Sequence, residues 1–282
     1  MNGATPWRAE RNLREDMCRI GRLIYERGLV AATDGNLSVR LDDERVLCTP
    51  SGLCKGSIEP SDLVVVDFDL NLLEGDRPAS SEILMHLGAY QSRPDVRAVV
   101  HAHPPTAVAF SVAGRSDALA GAHLPEVVYT LGAIPTARYA TPGTADVPAS
   151  LEPYWDRCDA IILDRHGSIT VGATLWEAYL KLDKVEHAAQ VTFMAALLGT
   201  PRPLPAEEVE KLARQGAERG YPTACSPCAE GEVCGTEAPE EVGLELSGDV
   251  EESIIEEVLR AVREMTAEKE EQKAGSTVVE DG

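Results

Sequence analysis

The sequence lacks any uninterrupted hydrophobic run of the roughly 20 residues that a membrane-spanning helix needs. Residues 1–15 are polar and charged, and they contain no apolar segment of the kind that a secretory signal requires. We therefore expect a cytoplasmic protein that has no membrane partner.

Basic residues are scarce, with 26 Lys and Arg against 47 Asp and Glu, which gives a net charge of −21. From Cys225 to the end there are 17 acidic and 4 basic residues, so this tail holds 13 of the 21 net negative charges and residues 1–224 hold the other 8. Nucleic-acid binding requires a basic face. The composition therefore predicts no nucleic-acid partner, and an anionic substrate would need a local cradle.

A disulfide framework is also missing. The chain has seven cysteines, an odd number, and only Cys225, Cys228 and Cys234 are clustered. This usage favours a reducing compartment. Zinc and iron–sulfur sites usually take four ligands, and no fourth ligand is near these three thiols. We therefore favour a flexible, redox-active segment over a metal site.

The remaining patterns predict three regions. Residues 1–222 alternate between helical and strand periodicity and are expected to form one catalytic domain. Residues 223–249 are rich in Glu, Gly, Pro and Ser, which is typical of a flexible acidic linker. Residues 250–282 begin with an amphipathic helical pattern and end in a polar stretch that is expected to be disordered.

Within the first region, residues 96–103 are expected to form a strand and residues 124–129 an extended segment. Ser80 or Ser81 is the expected N-cap of a helix over residues 83–91. Residues 174–198 are expected to form a long helix in which Thr174 and Glu177, three residues apart, make a capping box.

Two histidines stand at the end of the predicted strand. Side chains at i and i+2 of a strand lie on the same face, so His101 and His103 are expected to project together. His166 precedes a glycine in a turn between two apolar strands. If the three meet, they offer three nitrogen ligands with an open fourth position, which is the pattern of a catalytic zinc site.

Hydroxyls and glycine turns supply a second pattern. Glu82 follows Ser80 and Ser81 at a helix start, where free N–H groups favour anions. The turns at residues 33–36 and 51–52 contain glycines, and backbone N–H groups in such turns can form nests for phosphate. Taken singly, each of these is also compatible with an ordinary cap or hairpin turn.

Together these motifs resemble the class II aldolase/adducin family, most closely its fuculose-phosphate aldolase branch. The matching segments are GNLSVR at 35–40, TPSG at 49–52, SSE at 80–82, YQSRPD at 90–95, HAH at 101–103, YATPGT at 139–144 and HG at 166–167. The resemblance covers residues 8–220. It implies a three-layer α/β/α fold around a mainly antiparallel sheet. It also implies a homotetramer with active sites at subunit interfaces.

The resemblance also implies roles for individual residues. His101, His103 and His166 would bind one Zn²⁺, or another divalent metal, per subunit. Glu82 would be the catalytic acid/base. The phosphate-binding positions would be Thr33, Asn36, Ser51, Gly52, Ser80 and Ser81. The implied reaction is metal-dependent cleavage of a ketose 1-phosphate, such as L-fuculose or rhamnulose 1-phosphate, to dihydroxyacetone phosphate and an aldehyde.

The sequence departs from the aldolase branch at one point. Leu124 aligns with a tyrosine that handles the aldehyde end in that branch, and Tyr129 and His123 are the candidates to replace it. The enzymatic alternatives in the same family are a methylthioribulose-phosphate dehydratase and a pentulose-phosphate epimerase. The epimerase branch tends to carry Asp at the position of Glu82. A non-catalytic, adducin-like assembly module is the alternative of another class, but adducin-type domains lack the three histidines.

The helical pattern at residues 250–268 carries an apolar stripe on one face. Such an isolated helix does not fold alone. It would either dock on its own protein or act as an encapsulation peptide, which would bind shell proteins and place the enzyme inside a bacterial microcompartment. Compartments that degrade fucose and rhamnose contain aldolases of this family.

Overall fold

The computed structural model describes residues 6–221 and Cys225. The predicted linker at 223–249, apart from Cys225, and the predicted helix at 250–268 lie outside the described residues. The predictions for Cys228, Cys234 and the C-terminal helix therefore stay predictions.

The described chain alternates helices with short strands. The helices are α1 Pro6–Glu26, α2 Ile83–Ser92, α3 Pro105–Val112, α4 Asp117–Ala120, α5 Pro125–Thr130, α6 Asp146–Leu151, α7 Leu175–Leu198 and α8 Ala206–Glu218. The strands are β1 Asn36–Arg40, β2 Arg45–Cys48, β3 Val64–Asp67, β4 Leu72–Glu74, β5 Ala98–Ala102, β6 Thr136–Ala137, β7 Ala160–Leu163 and β8 Gly167–Gly172. Two 3₁₀ turns, Lys55–Ser57 and Glu152–Tyr154, complete the set.

The eight strands form one sheet in the order β4-β3-β2-β1-β5-β8-β7-β6. Neighbouring strands are antiparallel except for β6 and β7, which are parallel. Helices cover both faces of the sheet. One apolar cluster joins the sheet to α1 and α7, and another joins it to α2 and α6. The predicted α/β class with a mainly antiparallel sheet is confirmed.

Strand alternation decides which side chains face the candidate site. In β5, Val100 and Ala102 pack in the α1/α7 cluster, whereas Val99 packs in the α2/α6 cluster. His101 lies two residues after Val99 and therefore faces α2. Asn36 of β1 is paired directly with His101, so both polar side chains lie at the same end of the sheet.

The structure corrects three local predictions. Residues 125–130 form helix α5 instead of an extended segment, because Pro125 at the first helical position starts a helix readily. The N-cap residue of α2 is Glu82, without a side-chain cap bond, instead of Ser80 or Ser81. Strand β5 ends at Ala102, one residue before His103.

The predicted capping box of α7 is confirmed. The Thr174 hydroxyl accepts a hydrogen bond from the Glu177 N–H at 3.1 Å, and Glu177 in turn accepts one from the Ala173 N–H at 3.0 Å. None of the helices in residues 6–221 is long and apolar enough to cross a membrane.

Candidate active site

Three imidazoles from two distant parts of the chain meet at one end of the sheet. The ring centroids of His101, His103 and His166 lie 4.8 to 5.0 Å apart. The Nε2 atoms of His101 and His103 are 3.0 Å apart. The structure therefore brings together the three histidines that the sequence singles out.

Backbone carbonyl groups fix the two histidines of the HAH segment. The Nδ1 of His101 lies 2.9 Å from the Ser168 carbonyl oxygen, so Nδ1 carries the hydrogen and Nε2 keeps a free lone pair. The backbone N–H of His103 donates to the Leu29 carbonyl at 2.8 Å. The Nδ1 of His103 lies 3.5 Å from Asp34, which orients that ring from the other side.

A tight turn between β7 and β8 places His166. Arg165 adopts a left-handed backbone conformation, with φ of 55°, and its N–H donates to the Ser111 hydroxyl at 2.9 Å. A non-glycine residue in this region carries strain that the surrounding contacts must offset. The turn directs the His166 ring toward the other two histidines.

The Glu82 carboxylate completes the cluster. Its Oε1 lies 2.9 Å from His166 Nε2, and its Oε2 lies 3.3 Å from His101 Nε2. The Asn36 side-chain amide donates to Oε2 at 3.0 Å. Burial raises the pKa of Glu82, but the imidazoles of His101 and His166 beside the carboxylate outweigh burial and hold the pKa well below its usual range.

The donor set fits a divalent cation. One ligand atom from each of Glu82, His101, His103 and His166 lies within 4.8 Å of all the others. Two imidazole nitrogens at 3.0 Å, one of them with its lone pair free, need a shared proton or cation between them. Three nitrogens and a carboxylate are ligands that zinc and similar metals accept.

The histidine cluster lies at the base of a cleft of about 420 Å³. Two of the histidines and Glu82 line the cleft, whereas His101 is fully buried. All six predicted phosphate-binding residues line it as well: Thr33, Asn36, Ser51, Gly52, Ser80 and Ser81. The Ser80 hydroxyl accepts a hydrogen bond from the Glu82 N–H at 3.3 Å, which ties this wall of the cleft to the catalytic carboxylate.

Sequence reasoning missed one basic residue of the cleft. Lys55 lines it and is only 2% exposed, and its Nζ donates to the carbonyl oxygens of Thr33 and Leu53. The available signal was weak. It consists of a single lysine in the otherwise uncharged stretch 50–58, three residues after Gly52.

The two candidates for the aldehyde end lie elsewhere. Neither His123 nor Tyr129 lines the described cleft, and the Tyr129 ring packs against Tyr221 with the centroids 5.3 Å apart. Leu124 packs at the edge of an apolar cluster that α3 and α7 share. Within residues 6–221, this cleft therefore has no tyrosine in its lining.

A buried polar network links the strand and the helix next to the site. The Ser38 hydroxyl lies 2.7 Å from both His86 Nδ1 and the Tyr90 hydroxyl, which links β1 to α2. Burial is the main reason why the pKa of His86 falls to about 3, so this ring is neutral at physiological pH. His86 stands one helical turn after Glu82, and its partner is structural.

The comparisons with known proteins agree with this geometry. The family model described as Class II Aldolase and Adducin N-terminal domain matches residues 15–193. The 3-oxo-tetronate 4-phosphate decarboxylase of Escherichia coli (strain K12) is 34% identical over 189 residues, which cover 66% of this chain and 89% of that protein. The chain therefore belongs to the class II aldolase/adducin family.

Two further relatives carry aldolase names. The 5-deoxy-D-ribulose 1-phosphate aldolase of Bacillus thuringiensis serovar kurstaki is 34% identical over 208 residues, which cover 72% of this chain and 94% of that protein. A solved structure of an L-fuculose 1-phosphate aldolase has a TM-score of 0.67 at 31% identity and covers 72% of this chain and 95% of that chain. The relatives are thus named for carbon–carbon bond cleavage of phosphorylated substrates.

Proposed function

We propose that the protein is a divalent-metal-dependent lyase that cleaves a ketose 1-phosphate, such as L-fuculose 1-phosphate, to dihydroxyacetone phosphate and an aldehyde. The observation that carries the proposal is the Glu82 carboxylate, held 2.9 and 3.3 Å from two members of a three-histidine cluster at the base of a cleft. A purely structural domain has no need of a half-buried carboxylate among three imidazoles, which disfavours a non-catalytic assembly module.

His101, His103 and His166 are proposed to hold the metal, with zinc as the expected ion. When it is bound, a divalent cation supplies a Lewis acid that stabilises negative charge on adjacent substrate oxygens. The chain's contribution is to fix the three rings. The Ser168 carbonyl sets the tautomer of His101, and Asp34 and the Leu29 carbonyl hold His103.

The phosphate group is proposed to bind at the wall of the cleft that carries hydroxyl and amide groups. Thr33, Asn36, Ser51, Ser80 and Ser81 offer hydroxyl and amide groups there, and Gly52, with φ of 74°, exposes its backbone. Holding the phosphate at this wall presents the carbon skeleton to Glu82, which lowers the entropic cost of reaching the reactive geometry.

Glu82 is proposed to move the proton. As the C3–C4 bond of the ketose breaks, the Glu82 carboxylate takes the proton of the C4 hydroxyl, the aldehyde leaves and the electron pair stays on the C2–C3 enediolate. The same Glu82 oxygen then returns that proton to C3, which gives dihydroxyacetone phosphate. In the reverse direction the same carboxylate removes that proton, and the Asn36 amide stabilises the charged form.

A second candidate reaction is decarboxylation of a 3-oxo sugar-acid phosphate. Loss of CO₂ from 3-oxo-tetronate 4-phosphate leaves the same three-carbon enediolate, so the same carboxylate can complete the reaction. Decarboxylation requires no base to deprotonate a C4 hydroxyl. Within residues 6–221 the lining of the cleft holds no tyrosine to assist such a deprotonation, which favours this reaction.

The test is a substrate panel assayed for products, with metal-loaded and chelator-treated enzyme. It contains ketose 1-phosphates, which include fuculose and rhamnulose 1-phosphate, and 3-oxo-tetronate 4-phosphate. Release of an aldehyde and dihydroxyacetone phosphate that chelator abolishes supports the aldolase. Release of CO₂ from the keto acid alone assigns the decarboxylase. Loss of water from a substrate, or its epimerisation, without bond cleavage contradicts both.

We further propose that the protein is a homotetramer. Four apolar side chains near the C-terminal end of α7 are 43 to 91% exposed: Phe193, Met194, Leu197 and Leu198. Contiguous apolar surface of this kind is a common feature of subunit interfaces. Sedimentation should give four times the chain mass, and Leu197→Asp should yield smaller species. A wild-type monomer at micromolar concentration would contradict the proposal.

We propose a cytoplasmic location, inside a bacterial microcompartment to which the sequence pattern at 250–268 directs the enzyme. The proposal rests on that pattern alone. Deleting residues 226–282, which keeps Cys225 in the apolar core, should abolish co-purification with shell proteins and leave turnover intact. Unchanged co-purification would contradict it.

A further inference from the structure

We infer that Lys55 is the charged member of the phosphate site, and that its ammonium group, in addition to neutral donors, binds the phosphate dianion of the substrate. The inference deepens the proposed function and rests on it for the identity of the substrate. It rests on the position, hydrogen bonding and burial of Lys55.

The first observation is where the ammonium group lies. Nζ donates to the Thr33 carbonyl at 2.7 Å and to the Leu53 carbonyl at 2.6 Å. These carbonyls belong to, or adjoin, the two glycine-containing turns at residues 33–36 and 51–52, both of which line the cleft. The cation is therefore held between the two turns that are proposed to contact phosphate.

The second observation is the number of donors. A lysine ammonium carries three N–H groups, and two are used by carbonyl oxygens. One N–H group remains for a ligand in the cleft. A hydrogen bond from an ammonium to a phosphate oxygen is charge-assisted and about twice as strong as one between neutral groups.

The third observation is that the charge has no carboxylate at salt-bridge distance, although Asp34 and Glu82 attract it from farther away. Lys55 is 2% exposed, and within the described residues no carboxylate oxygen lies within 4.0 Å of Nζ. A buried charge without a counter-ion costs free energy, and accordingly burial lowers the pKa of Lys55. An anion entering the cleft would supply the missing counter-ion.

A close contact with α1 fixes the backbone at Lys55. The 3₁₀ turn Lys55–Ser57 packs against α1, where a Cβ at Gly21 would lie 2.8 Å from the Lys55 carbonyl oxygen. This close helix–turn contact fixes the root of the side chain. Within residues 6–221, Lys55 is also the only lysine or arginine that lines the cleft, so no other described cation can substitute for it.

The competing explanation is that Lys55 only braces the two turns. Three variants separate the two roles. Lys55→Met removes the charge and all donors. Lys55→Gln removes the charge but keeps an amide with two donors for the carbonyl oxygens, and Lys55→Arg keeps the charge. Lys211→Met is the matched control, since it removes one positive charge from the exposed surface of α8.

The test is the dissociation constant of inorganic phosphate, measured by calorimetry on metal-loaded full-length protein. Lys55→Met and Lys55→Gln should each weaken binding by about 10- to 100-fold. Lys55→Arg should retain most of the affinity, and Lys211→Met should match the wild type. If Lys55→Met fails to fold, the Gln and Arg variants still decide between charge and bracing.

Wild-type affinity in Lys55→Gln, or no phosphate binding by the wild type at millimolar phosphate, would overturn the inference. The assay needs no turnover, so it is separable from the proposed reaction. Lysine-dependent phosphate binding in a protein that cleaves none of the panel substrates would refute the proposed function and leave the anion site standing. In an active enzyme, Lys55→Gln should raise KM for the phosphorylated substrate.

Discussion

Gly167 determines how closely β8 can approach the histidine cluster. A Cβ at this position would lie 2.5 Å from the Ala102 carbonyl oxygen, 2.8 Å from the His103 ring and 3.0 Å from the His101 ring. The backbone and two of the three imidazoles would all have to move. The glycine of the His-Gly pair is therefore required for close packing, just as the histidine is required for the cluster.

Gly167→Ala should accordingly weaken metal binding by at least about tenfold, in the range seen when groups that orient metal ligands are lost. Gly88→Ala is the control. A Cβ there would have its nearest neighbour at 3.7 Å, and alanine in the helix should stabilise the protein by about 0.5–1 kcal/mol. Metal titration with a chelating dye measures the metal affinity of both variants. Equal affinities in the two variants would contradict the packing argument.

Glu82→Gln separates metal binding from proton transfer. The amide keeps the shape and can still accept a hydrogen bond, but it cannot take up or deliver a proton. We expect the variant to bind metal with near wild-type stoichiometry and to lose about 10²- to 10⁴-fold in kcat. His103→Ala is the companion variant, which should lose metal and activity together. A Glu82→Gln enzyme with wild-type kcat would exclude Glu82 as the acid/base.

At the scale of elements, sequence patterns predicted the site only in pieces. Strand alternation predicts that His101 faces the same way as Val99, and the structure agrees because β5 is regular up to Ala102. The approach of His166 was not predictable from periodicity, since it depends on the pairing of β5 with β8. Helix α5 was missed because its six residues are mostly β-branched or aromatic and favour strands in isolation.

The link between β1 and α2 makes stability depend on pH. His86 is buried and neutral, with a pKa of about 3 in the native protein. In the unfolded chain its pKa returns to about 6.5. Below that pH the unfolded state therefore binds a proton that the native state does not bind. Stability therefore falls as pH drops from about 6.5 toward 3, by about 1.4 kcal/mol per pH unit for this group.

We expect metal-free wild-type protein to lose about 2 kcal/mol more unfolding free energy between pH 7 and pH 5 than His86→Gln, which has no proton to gain. Urea unfolding at both pH values measures the difference. His187→Gln serves as the control, because His187 is exposed and its removal should leave the wild-type pH dependence unchanged. Parallel losses in wild type and His86→Gln would show that His86 is not held neutral.

At the scale of the whole molecule, the sheet order explains why distant motifs converge. The chain places β1 between β2 and β5, and β8 beside β5, so segments near residues 35, 50, 80, 101 and 166 reach one end of the sheet. The resemblance to a known family predicted this convergence, whereas the residue patterns alone left each motif with an ordinary alternative. Lys55 escaped both approaches, because a single lysine in a turn usually faces solvent.

Metal content is the most direct test of the central claim, that three histidines bind a metal beside Glu82 and that the lyase activity depends on this metal. Full-length protein purified without chelator should contain one divalent ion per chain. Chelator should remove the ion and the activity together, and adding Zn²⁺ or another divalent ion should restore both. His103→Ala should retain less than about a tenth of the wild-type metal after the same treatment. Full activity in protein from which the metal has been removed would contradict the claim.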